Sequence, residues 1–189
     1  MMRIITGEYR GRKLEAPRGM DVRPTSDMIK EAMFNVLMNH VSGAVCVDLF
    51  AGTGNLGLEA ISRGAEKCYF CDNSRESIKF IKMNIEKCGA EERSQVIFGD
   101  YMKCLQRMRE QADLIFLDPP YASGVYEKCI GTIMSLDLLA DDGIIIAEHD
   151  KYLELPEIIG QVRVEKEKKY GKKILTFYRK IVEGEEEDE

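Results

Sequence analysis

Histidine is scarce in this chain, a second cysteine pair is missing, and no apolar run approaches the length of a bilayer crossing. Without about 18 consecutive apolar residues a membrane-spanning helix is excluded. The N-terminus, Met1-Met2-Arg3-Ile4-Ile5-Thr6-Gly7-Glu8, has neither an extended apolar h-region nor a small-residue cleavage site. The expected location is therefore the cytoplasm, with no membrane partner. His40 and His149 are the only imidazoles, and Cys68 and Cys71 form a lone C-x-x-C. That pair lies in Lys67-Cys68-Tyr69-Phe70-Cys71, which reads as a strand, where positions three apart face opposite sides. Two thiols on opposite faces cannot chelate one ion, so no metal is expected. Cys46, Cys88, Cys104 and Cys129 are scattered through apolar segments of a chain with no secretory signal. Reduced, buried thiols are the expectation, not a disulfide framework.

What is present is enough for one full core: 189 residues, 44% of them hydrophobic. The formal charge of -6 argues at first against a nucleic-acid partner, but its distribution reverses that inference. Residues 183–189 carry six carboxylates, which leaves residues 1–182 neutral. Residues 1–23 hold six basic side chains against three acids, and residues 163–180 hold eight against two. Two basic ends on a neutral body could form a phosphate-binding face; a solvated surface is the bland alternative. The acidic end itself reads as a disordered tail.

From Val45 onward short apolar runs alternate with amphipathic segments, the pattern of a parallel sheet covered by helices. Strands are predicted at Ala44–Asp48, Lys67–Asp72, Gln95–Gly99, Leu114–Asp118 and Gly143–Glu148. Ser74 caps a predicted helix whose apolar positions Ile78, Ile81 and Ile85 recur at helical spacing, and Gly89 stops it. Pro24-Thr25-Ser26 opens another, with Ile29, Ala32, Met33, Val36 and Leu37 on one face. The expected fold is α/β and Rossmann-like, with a central, mostly parallel seven-stranded sheet and helices on both faces. Residues 1–23 read as a basic β-ribbon extension, 24–182 as the main domain, and Gln161–Lys169 with Lys173–Val182 as an antiparallel hairpin turning near Gly171.

Val45-Cys46-Val47-Asp48-Leu49-Phe50-Ala51-Gly52-Thr53-Gly54-Asn55-Leu56-Gly57 is an apolar strand, an acid, then a glycine-rich turn opening a helix. Ligands of open α/β sheets bind at such turns. Gly52, Gly54 and Gly57 also satisfy the dinucleotide fingerprint, which is weak by itself. Asp48 suits the ammonium of a methionine group and would repel a pyrophosphate. Asp72 can accept two ribose hydroxyls, and Asp100, after Gly99, can accept from an adenine amino group. Three acids closing three successive strands favour S-adenosylmethionine over a dinucleotide.

Asp113-Leu114-Ile115-Phe116-Leu117 runs directly into Asp118-Pro119-Pro120-Tyr121. An amino nitrogen conjugated to a base is a poor nucleophile because its lone pair is delocalised into the ring. The Asp118 carboxylate and Pro119 carbonyl can accept both amino hydrogens, localise that lone pair and aim it at a methyl donor. Two prolines stiffen the loop, and Tyr121 can stack on a flipped base. This chemistry serves N6 of adenine as well as N2 of guanine, in DNA or RNA.

These motifs, with Arg3-Ile4-Ile5-Thr6-Gly7, Arg10-Gly11-Arg12-Lys13-Leu14, Arg23-Pro24-Thr25-Ser26-Asp27, Glu31-Ala32-Met33-Phe34-Asn35 and Ser62-Arg63-Gly64-Ala65, resemble the RsmD family of class I methyltransferases. The resemblance runs from Arg3 to about Lys180. It implies transfer of methyl from S-adenosylmethionine, leaving S-adenosylhomocysteine, to N2 of a guanine in 16S ribosomal RNA on a small-subunit particle, by a monomer. It further implies cofactor contacts from Asp48, Phe50, Ala51, Gly52, Thr53, Gly54, Asp72, Asn73, Asp100 and Tyr101. Asp118, Pro119, Pro120 and Tyr121 would be catalytic, and Arg3, Arg10, Arg12, Lys13 and Arg23 would contact RNA. Met28 and Lys30 replace two arginines of the family pattern, and Lys30 lacks the bidentate fork of arginine. An RNA-binding assembly factor that has lost activity is the alternative from another class; intact Asp48, Gly52, Gly54, Asp100 and Asp118 weigh against it.

Overall fold

The computed structural model describes residues 2–18, 24–120 and 124–182. Tyr121, Arg23 and the acidic residues 183–189 lie outside the described residues. Along the chain run α1 (Pro24–Val36), β1 (Val45–Asp48), α2 (Asn55–Ser62), β2 (Lys67–Asp72), α3 (Arg75–Cys88), β3 (Ser94–Phe98) and α4 (Tyr101–Arg107). There follow β4 (Ala112–Leu117), α5 (Val125–Ser135), β5 (Leu139–Asp150), β6 (Ile158–Ile159), β7 (Val162–Tyr170) and β8 (Lys173–Lys180). All the described strands join one sheet in the order β3-β2-β1-β4-β5-β8-β7-β6. The first five are parallel; β8 pairs antiparallel with β5 and with β7.

The sheet has eight strands where seven were expected, because Ile158 and Ile159 pair with Arg163 and Val162. A two-residue strand has no periodicity to read. β5 also begins earlier than Gly143: Leu139 pairs with Ala112 before a register shift brings Leu114 against Ile144.

Strands buried on both faces read as continuous apolar runs, and each residue pair divides between the two layers. Cys46, Leu114, Phe116, Ile144 and Ile146 pack under α1, α2 and α3. Val47, Ile115, Leu117, Ile145 and Ala147 pack under α4 and α5. Cys68 belongs to the first layer and Cys71 to the second, and all six thiols are free and buried. No helix among the described residues is long and apolar enough to cross a membrane.

The N-terminal segment is stitched into the first layer. Its single antiparallel bridge, Arg3 with Lys13, is flanked by Ile4 N–H to Arg12 O at 2.9 Å and Leu14 N–H to Met2 O at 2.9 Å. Ile4, Tyr9 and Leu14 are core residues. The fully buried Glu59 of α2 accepts from the backbone N–H groups of Ile5 at 2.9 Å and Thr6 at 3.0 Å. The same carboxylate pairs with Lys30 Nζ at 3.1 Å and Arg63 Nε at 2.9 Å. Lys30 in turn donates to Arg3 O at 2.6 Å and Asn55 Oδ1 at 2.7 Å. Lys30 therefore acts as an internal tie between α1, the N-terminal segment and the start of α2, whereas Met28 is exposed.

At Gly57, α2 lies close against β2. A Cβ there would stand 2.4 Å from Phe70 Cε1 and 2.7 Å from Cys68 Sγ. Both neighbours are fully buried, so Gly57→Ala must overpack the core. We predict a loss of about 1–3 kcal/mol, read as a lower denaturation midpoint; unchanged stability would show that the helix can ride up without penalty.

Candidate active site

Strand order reverses between β1 and β4, and open α/β sheets hold ligands outside the carboxyl ends of their strands at that point. A cavity of about 1170 Å³ opens there, floored by Asp48 to Thr53 and walled by Asp72, Asn73, Ser74, Ser77, Gly99, Asp100 and Tyr101. Asp118, Pro119, Pro120 and Val125 close it on the β4 side, and Glu148, Asp150, Gly171, Lys172 and Lys173 on the β5 and hairpin side. The acids that close β1 and β2, with Asp100 just after β3 and Asp118 just after β4, are thus brought to one crevice.

Each acid has backbone work to do. Asp48 is buried, and its Oδ2 accepts from Gly57 N–H at 3.0 Å, satisfying one of the free donors in the first turn of α2. Burial pushes its carboxyl up to about 7; the Gly57 hydrogen bond opposes this, and Asp118 and Asp72 add to it. Asp72 accepts from Gly52 N–H at 2.9 Å through Oδ2 and from Ser74 N–H at 2.9 Å through Oδ1, locking two loops together. Asp100 caps α4 by accepting from Lys103 N–H at 2.8 Å. Phe50 and Tyr101 face each other across the opening, ring centroids 6.5 Å apart.

The lining groups that escaped the sequence reading include Glu148, Lys172 and Lys173. Leu117 pairs with Ala147, so Asp118 and Glu148 leave adjacent parallel strands side by side. Burial and the neighbouring Asp118 push the Glu148 carboxyl up to about 7, while Lys173, with Nζ 4.0 Å from Glu148 Oε1, pulls it down. Asp118 is exposed at the cavity, yet crowding by the surrounding walls raises its carboxyl, opposed by Lys173. Glu148 could have been found: it ends a predicted apolar strand, as Asp48 and Asp72 do. The lysines could not, because only antiparallel pairing brings Lys173 beside Asp150.

The basic residues expected at the RNA are placed differently. Arg12 Nη1 donates to Lys87 O at 3.1 Å and Cys88 O at 2.6 Å, capping the C-terminus of α3, and its guanidinium lies 5.0 Å from the Tyr9 ring centroid. Glu8 N–H donates to Ser62 O at 2.8 Å, so the loop carrying exposed Arg10 reaches the C-terminus of α2. Both helices start at the crevice, so their C-termini mark the opposite end of the molecule. Arg3 is exposed and pairs with Asp27 at 3.3 Å, and Lys13 is exposed. Among the described residues no cluster of three or more His, Cys, Asp or Glu could hold a metal ion.

Comparison with known proteins bears on this geometry. A family described as Conserved hypothetical protein 95 matches residues 2–179. The Bacillus subtilis chain YlbH, a candidate rRNA methyltransferase by its description, is 37% identical over 95% of this chain and 99% of its own. Ribosomal RNA small subunit methyltransferase D of Escherichia coli is 32% identical over 97% of this chain and 92% of its own. The solved Escherichia coli structure of yhhF, a candidate methyltransferase by its description, superposes with a TM-score of 0.85 at 32% identity, covering 94% of this chain and 97% of that one.

The raised carboxyls set a pH dependence for the free protein. An unfolded carboxyl titrates near about 4, so between there and about 7 the folded state binds more protons, and stability falls as pH rises. We expect Asp48→Asn, which keeps an acceptor for Gly57 N–H, to flatten much of that decline in denaturation measured at pH 5 and pH 7.5. An unchanged slope would mean Asp48 is ionised at no cost.

Proposed function

The chain belongs to the Conserved hypothetical protein 95 family, the RsmD family of methyltransferases, and from that premise we propose that it methylates the exocyclic N2 amino group of one guanine in 16S ribosomal RNA, on a small-subunit assembly particle. The observation that carries this reading is the placement of Asp118-Pro119-Pro120 on the wall of the same crevice that Asp48, Gly52, Asp72 and Asp100 line.

The cavity fits S-adenosylmethionine in its donor set. A desolvated carboxyl flanked by two further acids is short of positive charge, and Asp48 answers to that description. Asp48 would hold the cofactor's ammonium and Asp72 the ribose hydroxyls, each through lone pairs left over from its backbone bonds. Asp100, with Phe50 and Tyr101 beside it, would hold the adenine. When bound, the cofactor supplies a methyl carbon already activated by a positive sulfur, so the chain need provide neither metal nor covalent nucleophile.

The residues then have three tasks. Asp118 and the Pro119 carbonyl accept the two amino hydrogens of the base, which returns the nitrogen lone pair to the nitrogen. Pro119 and Pro120 fix φ on either side of the acceptors, so little motion is left between them. Asp118 is reached from the open side of the crevice, where a base could approach it, and its surroundings raise its carboxyl. Tyr121 belongs to the same reading as the platform for the flipped base.

The test is incubation with labelled methyl donor and small-subunit particles from cells lacking the activity, followed by mapping of the modified nucleoside. N2-methylguanine is expected; N6-methyladenine would overturn the choice of base, and no transfer would overturn the reading. Asp118→Ala should lower turnover at least about 100-fold while cofactor affinity stays within about threefold, since the lost acceptor acts only on the amino group. By calorimetry, cofactor affinity should fall as pH drops below about 7, where Asp48 takes up a proton. A flat pH profile there would remove Asp48 from cofactor binding.

A further inference from the structure

The two basic ends of the chain part company in the fold. The loop carrying Arg10 and Arg12 closes against the C-termini of α2 and α3, away from the crevice. The other basic segment goes the opposite way. Because β8 runs antiparallel to β5, with Asp150 opposite Lys173, the β7–β8 turn is carried to the carboxyl end of the parallel strands. Gly171 makes that turn two residues long: its φ of 59° followed by an ordinary φ at Lys172 suits a tight hairpin with glycine at the first central position. Lys172 and Lys173 thereby line the cavity.

Register extends the pattern outward. Leu175 is opposite both Glu148 and Lys168, so these three share one face of the sheet, as do Ile146, Phe177 and Lys166 in a parallel row. Two strand spacings put Lys168 about 10 Å from Glu148 at the crevice wall. From Glu165 to Tyr170, β7 is the outermost strand, because β6 reaches only Val162 and Arg163 and Val164 N–H donates to Glu157 O at 2.9 Å. Lys166 and Lys168 are exposed. Among the described residues Glu148 faces Lys173, Glu165 faces Arg179, and Asp137 and Asp141 face Lys180, while Glu167, on the other face of β7 from Lys166 and Lys168, accepts from Thr176 Oγ1 at 3.4 Å. Lys166, Lys168 and Lys172 form no ion pair among the described residues.

We infer that Lys166, Lys168 and Lys172 form a track for the RNA backbone, running from the mouth of the crevice along the outer strand, that holds the strand next to the target nucleotide. This rests on the RNA-methylation reading above and names the surface that serves it. Phosphates along such a track displace condensed counterions, so binding weakens with salt in proportion to the contacts made. Lysines on an outermost strand also discourage edge-to-edge pairing of sheets, and the test must separate the two roles.

The experiment measures binding of Lys166→Gln/Lys168→Gln to small-subunit particles lacking the methyl group, and to a mixed-sequence single-stranded RNA, across a salt series. The expected result is a roughly tenfold weaker affinity near 0.1 M salt and a salt slope shallower by about 0.7 for each lost phosphate contact. Calorimetric affinity for S-adenosylmethionine should be unchanged, which reports an intact fold. Lys79→Gln/Lys82→Gln, two exposed cations on α3, should keep the original slope. In the unaltered chain, RNA should protect Lys166 and Lys168 from acetylation, a readout that survives if the double variant aggregates. Unchanged slope and unprotected amines would overturn the track and leave edge protection as the role of these lysines. The function reading fails separately: a salt-sensitive hairpin in a protein that methylates no guanine would keep the surface and discard the substrate assignment.

Discussion

One buried carboxylate organises the first layer of this protein. Glu59 sits fully buried inside α2 and meets two backbone N–H groups, one ammonium and one guanidinium. Removing one partner of a buried ion pair typically costs about 3–5 kcal/mol, because the other charge is left stranded. Here the partners come from the N-terminal segment, α1 and Arg63 just after α2, so these elements share the constraint. Lys30 carries it onward to Asn55, the residue that opens α2 after the glycine-rich turn. Burial lowers the Lys30 pKa, and the Glu59 carboxylate opposes that shift.

Much of the architecture was legible. Lys67–Asp72 was bounded correctly because both of its faces are buried and an acid ends the run. Ser74 and Gly89 marked the ends of α3 through their capping chemistry, and the structure shows Ser74 accepting from Ser77 N–H at 3.3 Å. Acids that close apolar strands were legible as crevice residues, since topology brings every strand of the parallel set to the same edge.

What was not legible depends on partners distant in sequence. Glu59 lies in a short helix among apolar residues, and nothing local says that its charge is met from Ile5, Thr6 and Lys30. Arg12 belongs to a basic cluster that suggests phosphate, yet it caps α3 because its loop folds back onto Cys88. The lysines beside Gly171 sit in a charge run typical of a solvated strand. Their position at the crevice follows from the pairing of β8 with β5, and single-chain periodicity carries no information about that pairing.

Asp72 also acts through entropy. Each of its oxygens holds a backbone N–H from a different loop, Gly52 after β1 and Ser74 after β2. The spacing of the two loops is therefore set before any ligand arrives, and a guest need not give up binding energy to order them. A carboxylate whose position suggests recognition is thus also a brace. Its loss would be felt in the rigidity of the empty cavity as much as in any contact to its contents.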